Sequence, residues 1–316
     1  MGAVRRERSL ANNNGHPHSV ISYIGGKSAL IPNIVPIITY AAQAYGLTHY
    51  YEMCGGGARM LLNLPINLFE HRLFNDLDRG LSALFCCLGS KEYLYDLMAL
   101  LEDLGVGEEV FLRAKHAREY EARMLSQGSD FRLDNVTSAA YVFILAMQSR
   151  AADMETFDFS RVKDQKRLRS YFKRVRELDL FYSTLADIEV THGDCRELLK
   201  LLNGRDDAFA YLDPPYTPDQ MVLKDHYGAR SWTLVAHEQL VDLLLDTSGL
   251  KVALSGYDNP CYDRLVSAGW QKLYLKNVFV ASSSEARRRN DEYLWINFDI
   301  PASLLDQISE FDYTSW

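Results

Sequence analysis

The chain has 316 residues, 47% hydrophobic and 24% charged, with a formal net charge of −8. That is the make-up of a soluble globular protein with one large or two moderate domains. The acidic balance argues against a generic nucleic-acid binder, so any such contact must come from local basic patches.

No apolar run is long enough to span a bilayer. Five cysteines without a C-x-x-C, and histidines without ligand spacing, suggest neither a disulfide framework nor a metal site, in keeping with a reducing cytoplasm. Residues 1–20 are polar and basic, lack the apolar segment of a signal peptide, and are expected to be a disordered tail. Ile21 to Lys27 reads Ile-Ser-Tyr-Ile-Gly-Gly-Lys. Its glycines let backbone approach a ligand closely, and Lys27 sets a charge at the start of a helix expected over Ser28–Tyr45. A loop with a surface lysine would look the same.

An aromatic strand, His49-Tyr50-Tyr51-Glu52, then runs through Met53-Cys54 into Gly55-Gly56-Gly57 and a helical segment over Arg59–Asn63. Strand, glycine loop and helix is the layout that holds a nucleoside-bearing cofactor. The glycines fit neither G-x-G-x-x-G nor a P-loop, which counts against a dinucleotide or a triphosphate. A second strand, His71–Phe74, ends at Asn75-Asp76, where an acidic residue commonly binds ribose hydroxyls.

Residues 81–185 change character. Helices are expected over Leu81–Leu104, Val110–Leu125, Asn135–Arg150 and Lys163–Leu180. Val136–Met147 is apolar nearly all round, which predicts burial. Lys163, Lys166, Arg167, Arg169, Lys173, Arg174 and Arg176 make the last helix basic, a face that either meets phosphates or is simply solvated.

A third strand, Ile188–His192, ends at Gly193-Asp194-Cys195, and Asp194 either contacts a cofactor at the same sheet edge or caps a helix over Arg196–Leu202. The apolar run Ala208–Leu212 predicts a buried fourth strand, stopped by Pro214 and Pro215. Asp213-Pro214-Pro215-Tyr216 then presents a carboxylate, a proline-fixed carbonyl and a ring past a strand end, where open α/β sheets bind ligands. A planar group with an exocyclic amine suits it: Asp213 and the Pro214 carbonyl each accept an N–H, and Tyr216 stacks. Taken alone, the four residues could equally be a proline turn with a capping Asp.

Thr217–Trp232, with Lys224, His226, Tyr227 and Arg230, is expected to be a lid or substrate-contact loop. Beyond it come a helix over Thr233–Asp246, strands over Lys251–Ser255, Gln271–Leu275 and Tyr293–Phe298, a helix over Cys261–Ala268, and the basic cluster Arg287-Arg288-Arg289. The alternation predicts an α/β sheet domain of residues 21–80 and 186–300, a helical insert of residues 81–185, and a C-terminal tail of residues 301–316.

Taken together and in order, these stretches resemble the Dam-type DNA adenine-N6 methyltransferases in their alpha motif order. Tyr23-Ile24-Gly25-Gly26-Lys27 looks like motif X, Glu52–Asn63 like motif I, Asn75-Asp76 like motif II, Gly193-Asp194 like motif III, and Asp213–Tyr216 like the motif IV tetrad. Leu254–Tyr257 and Asp291–Asn297 look like later motifs. One departure is Met53-Cys54, where many members have Pro-Phe. The resemblance implies a Rossmann-like methyltransferase sheet with helices on both faces, S-adenosylmethionine as donor, double-stranded DNA as substrate, a flipped base and no metal. It puts Tyr23, Lys27, Glu52, Cys54, Gly55, Gly56, Asp76, Asp194 and Asp213 around the donor, and gives catalysis to Asp213, Pro214 and Tyr216. Lys166, Arg167, Lys173, Arg174, Arg230, Arg287 and Arg288 are the candidate DNA contacts, and the insert is the candidate recognition lobe. Cytosine N4, RNA or a protein glutamine as methyl acceptor, or a silent donor- or DNA-binding module, are the alternatives.

Overall fold

The computed structural model of the chain describes residues 19–23, 25, 27–216, 232–279 and 289–309. The expected lid over 217–231, Arg230, Arg287, Arg288 and the tail before residue 19 lie outside them. After a 3-10 turn at Ser28–Leu30, α1 (Ile31–Tyr45) ends where Gly46 takes a left-handed φ of 65°. β1 (His49–Glu52) and β2 (His71–Asp76) follow.

The insert carries α2 (Arg79–Leu88), α3 (Lys91–Leu104), α4 (Glu108–Ser126), α5 (Asn135–Gln148), α6 (Ser160–Lys163), α7 (Gln165–Arg176) and α8 (Tyr182–Leu185). The expected helix over Leu81–Leu104 is thus two helices, broken at Gly89-Ser90. A Cβ on Gly89 would lie 2.7 Å from the Leu185 carbonyl oxygen, so close packing sets the break. The expected helix over Lys163–Leu180 is also divided: Asp164, in extended conformation, closes α6 and caps α7 by accepting from the Lys166 N–H. α5 is buried along most of its length, as its composition predicts.

β3 (Ile188–His192), α9 (Cys195–Leu202), β4 (Ala208–Leu212), α10 (Leu234–Asp246) and β5 (Lys251–Tyr257) return the chain to the sheet. A 3-10 turn at Pro260–Tyr262 and the short α11 (Asp263–Ser267) replace the single helix expected over Cys261–Ala268. β6 (Gln271–Phe279) and β7 (Arg289–Ile296) close it. The region after residue 300 is not all tail: α12 (Ala302–Ser309) packs on α1, where buried Asn33 donates to the Ile308 carbonyl at 3.2 Å.

The seven strands run in the order β3-β2-β1-β4-β5-β7-β6. β1 to β5 are parallel, and β7 is antiparallel to both β5 and β6. Alternation along each strand feeds two cores: Tyr50, Phe74 and Phe209 face α1 and the insert, while Tyr51, Leu73 and Ala210 face α9, α10 and α11. Helices therefore cover both faces, the Rossmann-like architecture that the resemblance implies. The strand order reverses between β1 and β4, which opens a crevice at their carboxyl ends.

Candidate active site

Glu52 is the last residue of β1 and is almost fully buried. Its Oε2 accepts from the Leu61 N–H and, at 3.1 Å, from the Tyr50 hydroxyl. Burial pushes its pKa up to about 8, against the pull of those donors. These bonds fold the chain after the glycines into turns, with Ala58 at φ 50°, so the helix expected over Arg59–Asn63 does not form. The glycine loop leaves no room for side chains: a Cβ on Gly55 would meet the Phe74 ring at 2.0 Å, and one on Gly56 the Tyr23 ring at 2.8 Å.

Asp76, at the end of β2, ties the loop down. Its Oδ2 accepts from the Gly56 N–H at 2.8 Å and its Oδ1 from the Asp78 N–H at 2.7 Å. Asp194, after β3, caps α9 through the Arg196 N–H and also pairs with the Arg196 guanidinium, whose hydrogen bonds hold its carboxyl below the usual range. It still lines the crevice, so capping and lining are both true of it. Cys54 also lines the crevice; its hydrogen bond with Cys195, together with burial, holds its thiol well above the ordinary range.

Asp213 follows β4, and its Oδ1 meets the Lys27 Nζ at 2.7 Å and the Ser255 hydroxyl at 3.2 Å. Among the described residues no contact falls on Oδ2. The same ammonium reaches Glu292 on β7 at 3.2 Å and donates to the Tyr216 hydroxyl. Lys27 is only 5% exposed and Glu292 only 1%. Burial works against the Lys27 charge, but Asp213 and Glu292 outweigh it and raise its pKa. Burial also raises both carboxyls, and Lys27 only partly offsets that. The ammonium therefore stays charged, and the two acids share it. Tyr216 stacks on Tyr257 with centroids 4.0 Å apart, and its hydroxyl donates to Glu292 at 3.2 Å.

These groups surround one cavity of about 1000 Å³, measured out to its open mouth, that runs from Tyr23 and the glycine loop to the tetrad. The profile of the D12 class N6 adenine-specific DNA methyltransferase family matches residues 23–281. The chain belongs to that family. A comparison with curated proteins gave no match for this methyltransferase.

The crevice of the methyltransferase gathers Tyr23, Lys27, Glu52, Cys54, Gly55, Asp76, Asp194, Asp213, Pro214 and Tyr216, and Gly56 with them. The basic residues of the insert lie elsewhere, on α7. Lys166 and Lys173 are exposed, Arg167 pairs with Asp158 at 2.9 Å, and Arg174 turns inward to the Ser19 carbonyl at 3.0 Å. Ser255, Tyr257 and Glu292 also belong to the site; they lie in the two stretches that look like later motifs but were not among the expected site residues. The register Tyr257↔Glu292 of the antiparallel strands β5 and β7 brings those two residues together. Among the described residues no group of His, Cys, Asp and Glu could hold a metal, and no helix is long and apolar enough to cross a membrane.

Proposed function

We propose that this DNA adenine methyltransferase takes its methyl group from S-adenosylmethionine and acts on an adenine flipped out of double-stranded DNA. The observation that carries the reading is Asp213, held at the switch point of the sheet with Oδ1 engaged and Oδ2 turned to no protein partner among those described. The donor would supply an electrophilic methyl group, and the cavity suits its parts: acids for ribose hydroxyls at Asp76, a side-chain-free cradle at Gly55 and Gly56, and Asp194 near an adenine.

An adenine amine is a poor nucleophile because its lone pair conjugates with the ring. Oδ2 of Asp213 and the Pro214 carbonyl can each accept one amine hydrogen and stabilise charge as it develops on nitrogen. Lys27 and Ser255 fix the carboxylate for that task, so little reorganisation is left to the reaction. Burial raises the Asp213 pKa, which suits it to take the proton that the amine sheds. Tyr257 covers one face of the Tyr216 ring, so a flipped base would stack on the other. Lys166 and Lys173 on α7 would meet backbone phosphates, with the insert as the recognition lobe.

The test is transfer from labelled S-adenosylmethionine to unmethylated duplex DNA, with the product nucleoside identified by mass. N6-methyladenine is expected. N4-methylcytosine, or label in RNA or protein in place of DNA, would overturn the reading. Asp213→Ala should keep donor affinity and lose about 10²–10³ in single-turnover rate.

A further inference from the structure

Arg59 follows the glycine loop and forms part of the cavity wall. Its Nη2 donates to the Ile21 carbonyl at 3.1 Å, while its Nε is buried and has no partner. A Cβ on Gly57 would lie 3.4 Å from that Nε and 3.5 Å from the Tyr23 Cβ, which places the guanidinium against the loop. Arg79, Arg118, Arg196 and Arg205 each meet a carboxylate. Arg59 meets none among the described residues, and the charge that acts on it is another cation: burial first, then Arg174, pushes its pKa down to about 10. It is still charged at neutral pH. A half-buried cation with an unpaired buried donor and a like-charged neighbour is costly unless an anion arrives.

The cavity offers few alternatives to such an anion. Lys27 is committed to Asp213 and Glu292. Among the described residues, the other charged groups of the wall, Glu52, Asp76, Asp78, Asp194 and Asp213, are all acidic. We propose that Arg59 receives the carboxylate of the amino-acid portion of the methyl donor. The inference rests on S-adenosylmethionine being that donor. A planar guanidinium matches a carboxylate with paired donors, and Nε has no protein partner to give up for one. Arg59 would thereby set how far the donor extends past the glycine loop, and with it the reach of the methyl group toward Asp213.

The experiment titrates the full chain with two probes by calorimetry. S-adenosylhomocysteine carries the amino-acid carboxylate, and 5′-methylthioadenosine lacks it. Arg59→Gln should weaken the first by about 10- to 100-fold, from the loss of a charged hydrogen bond, and leave the second unchanged. Arg59→Lys keeps the charge without the fork and should fall between, again for the first probe only; it carries the test if the Gln variant does not fold. Equal loss for both probes, or loss for neither, overturns the assignment. So does a loss confined to DNA affinity, which would make Arg59 a phosphate contact. Wild type that binds neither probe would instead sink the donor reading itself.

Discussion

Replacing Lys27 by Met should expose how much of the catalytic centre is held by charge. The ammonium is 5% exposed and serves Asp213 at 2.7 Å and Glu292 at 3.2 Å, whose side chains are 20% and 1% exposed. Met fills a similar volume, so the loss is electrostatic. Removing one partner of a buried ion pair costs about 3–5 kcal/mol, because the remaining charge is left uncompensated. Most of that should fall on Glu292, since Asp213 keeps Ser255 and some contact with water. The size should depend on pH with a definite sign. Burial already places both carboxyls above their ordinary values, and losing Lys27 raises them further. An acid whose folded pKa exceeds its unfolded one destabilises increasingly as pH climbs past the unfolded value, and costs nothing below it. The gap between wild type and Lys27→Met should therefore be widest near pH 8 and narrow by at least about 1 kcal/mol at pH 5. Urea unfolding at both pH values measures it. A gap of equal size at pH 5 and pH 8 would show that Lys27 acts through packing and refute the ionic account. Adding Glu292→Gln to Lys27→Met should restore part of the lost stability.

Three further outcomes are expected. Asp76→Ala removes the acceptor of the Gly56 and Asp78 N–H groups as well as the proposed ribose contact; donor affinity should fall more than tenfold at about 1.5–3 kcal/mol per charged hydrogen bond, and unchanged affinity in a folded variant would remove Asp76 from the site. Joint replacement of Lys166 and Lys173 by Gln should make the slope of log K for DNA against log salt shallower by about 0.9 per lost phosphate contact; a slope equal to wild type would mark α7 as a solvated face. Glu52 has its pKa raised to about 8 and is mostly protonated at pH 7, so a cationic donor should lower that value and release up to about one proton on binding. Calorimetry in buffers of different ionisation enthalpy reads this release, which should fade above pH 9; no release at pH 7 would place the donor's charge away from Glu52.

Strands read well from the sequence where a short apolar or β-branched run stands between turn residues. Ile188–His192 and Ala208–Leu212 form as β3 and β4 with the expected bounds, because short apolar or β-branched runs between turn residues leave little choice. Helix breaks were harder. The apolar period of Leu81–Leu104 continues through Gly89, and only the approach of the Leu185 carbonyl, nearly a hundred residues later, shows why the helix stops. The turns after Gly57 were hidden for a similar reason: the Leu61 N–H bonds to Glu52 instead of continuing a helix. Residues with a local signature, Gly55, Asp76 and Asp213, do line the crevice. Glu292 was visible only as part of a pattern, since its meaning depends on a strand that runs against the rest of the sheet.

That reversed strand also bears on where the molecule can be cut. The family profile stops at residue 281, between β6 and β7. β7 lies between β5 and β6, and β6 has no other neighbour in the sheet. A fragment ending at 281 would keep the glycine loop and the tetrad yet lose its purchase on β6 altogether, baring a hydrophobic margin along β5 where Trp295 and Leu294 had packed. Such an open margin invites pairing with other chains. It would also leave Lys27 with Asp213 as its single carboxylate among the described residues. The stretch recognisable by likeness is thus shorter than the sheet that completes the site.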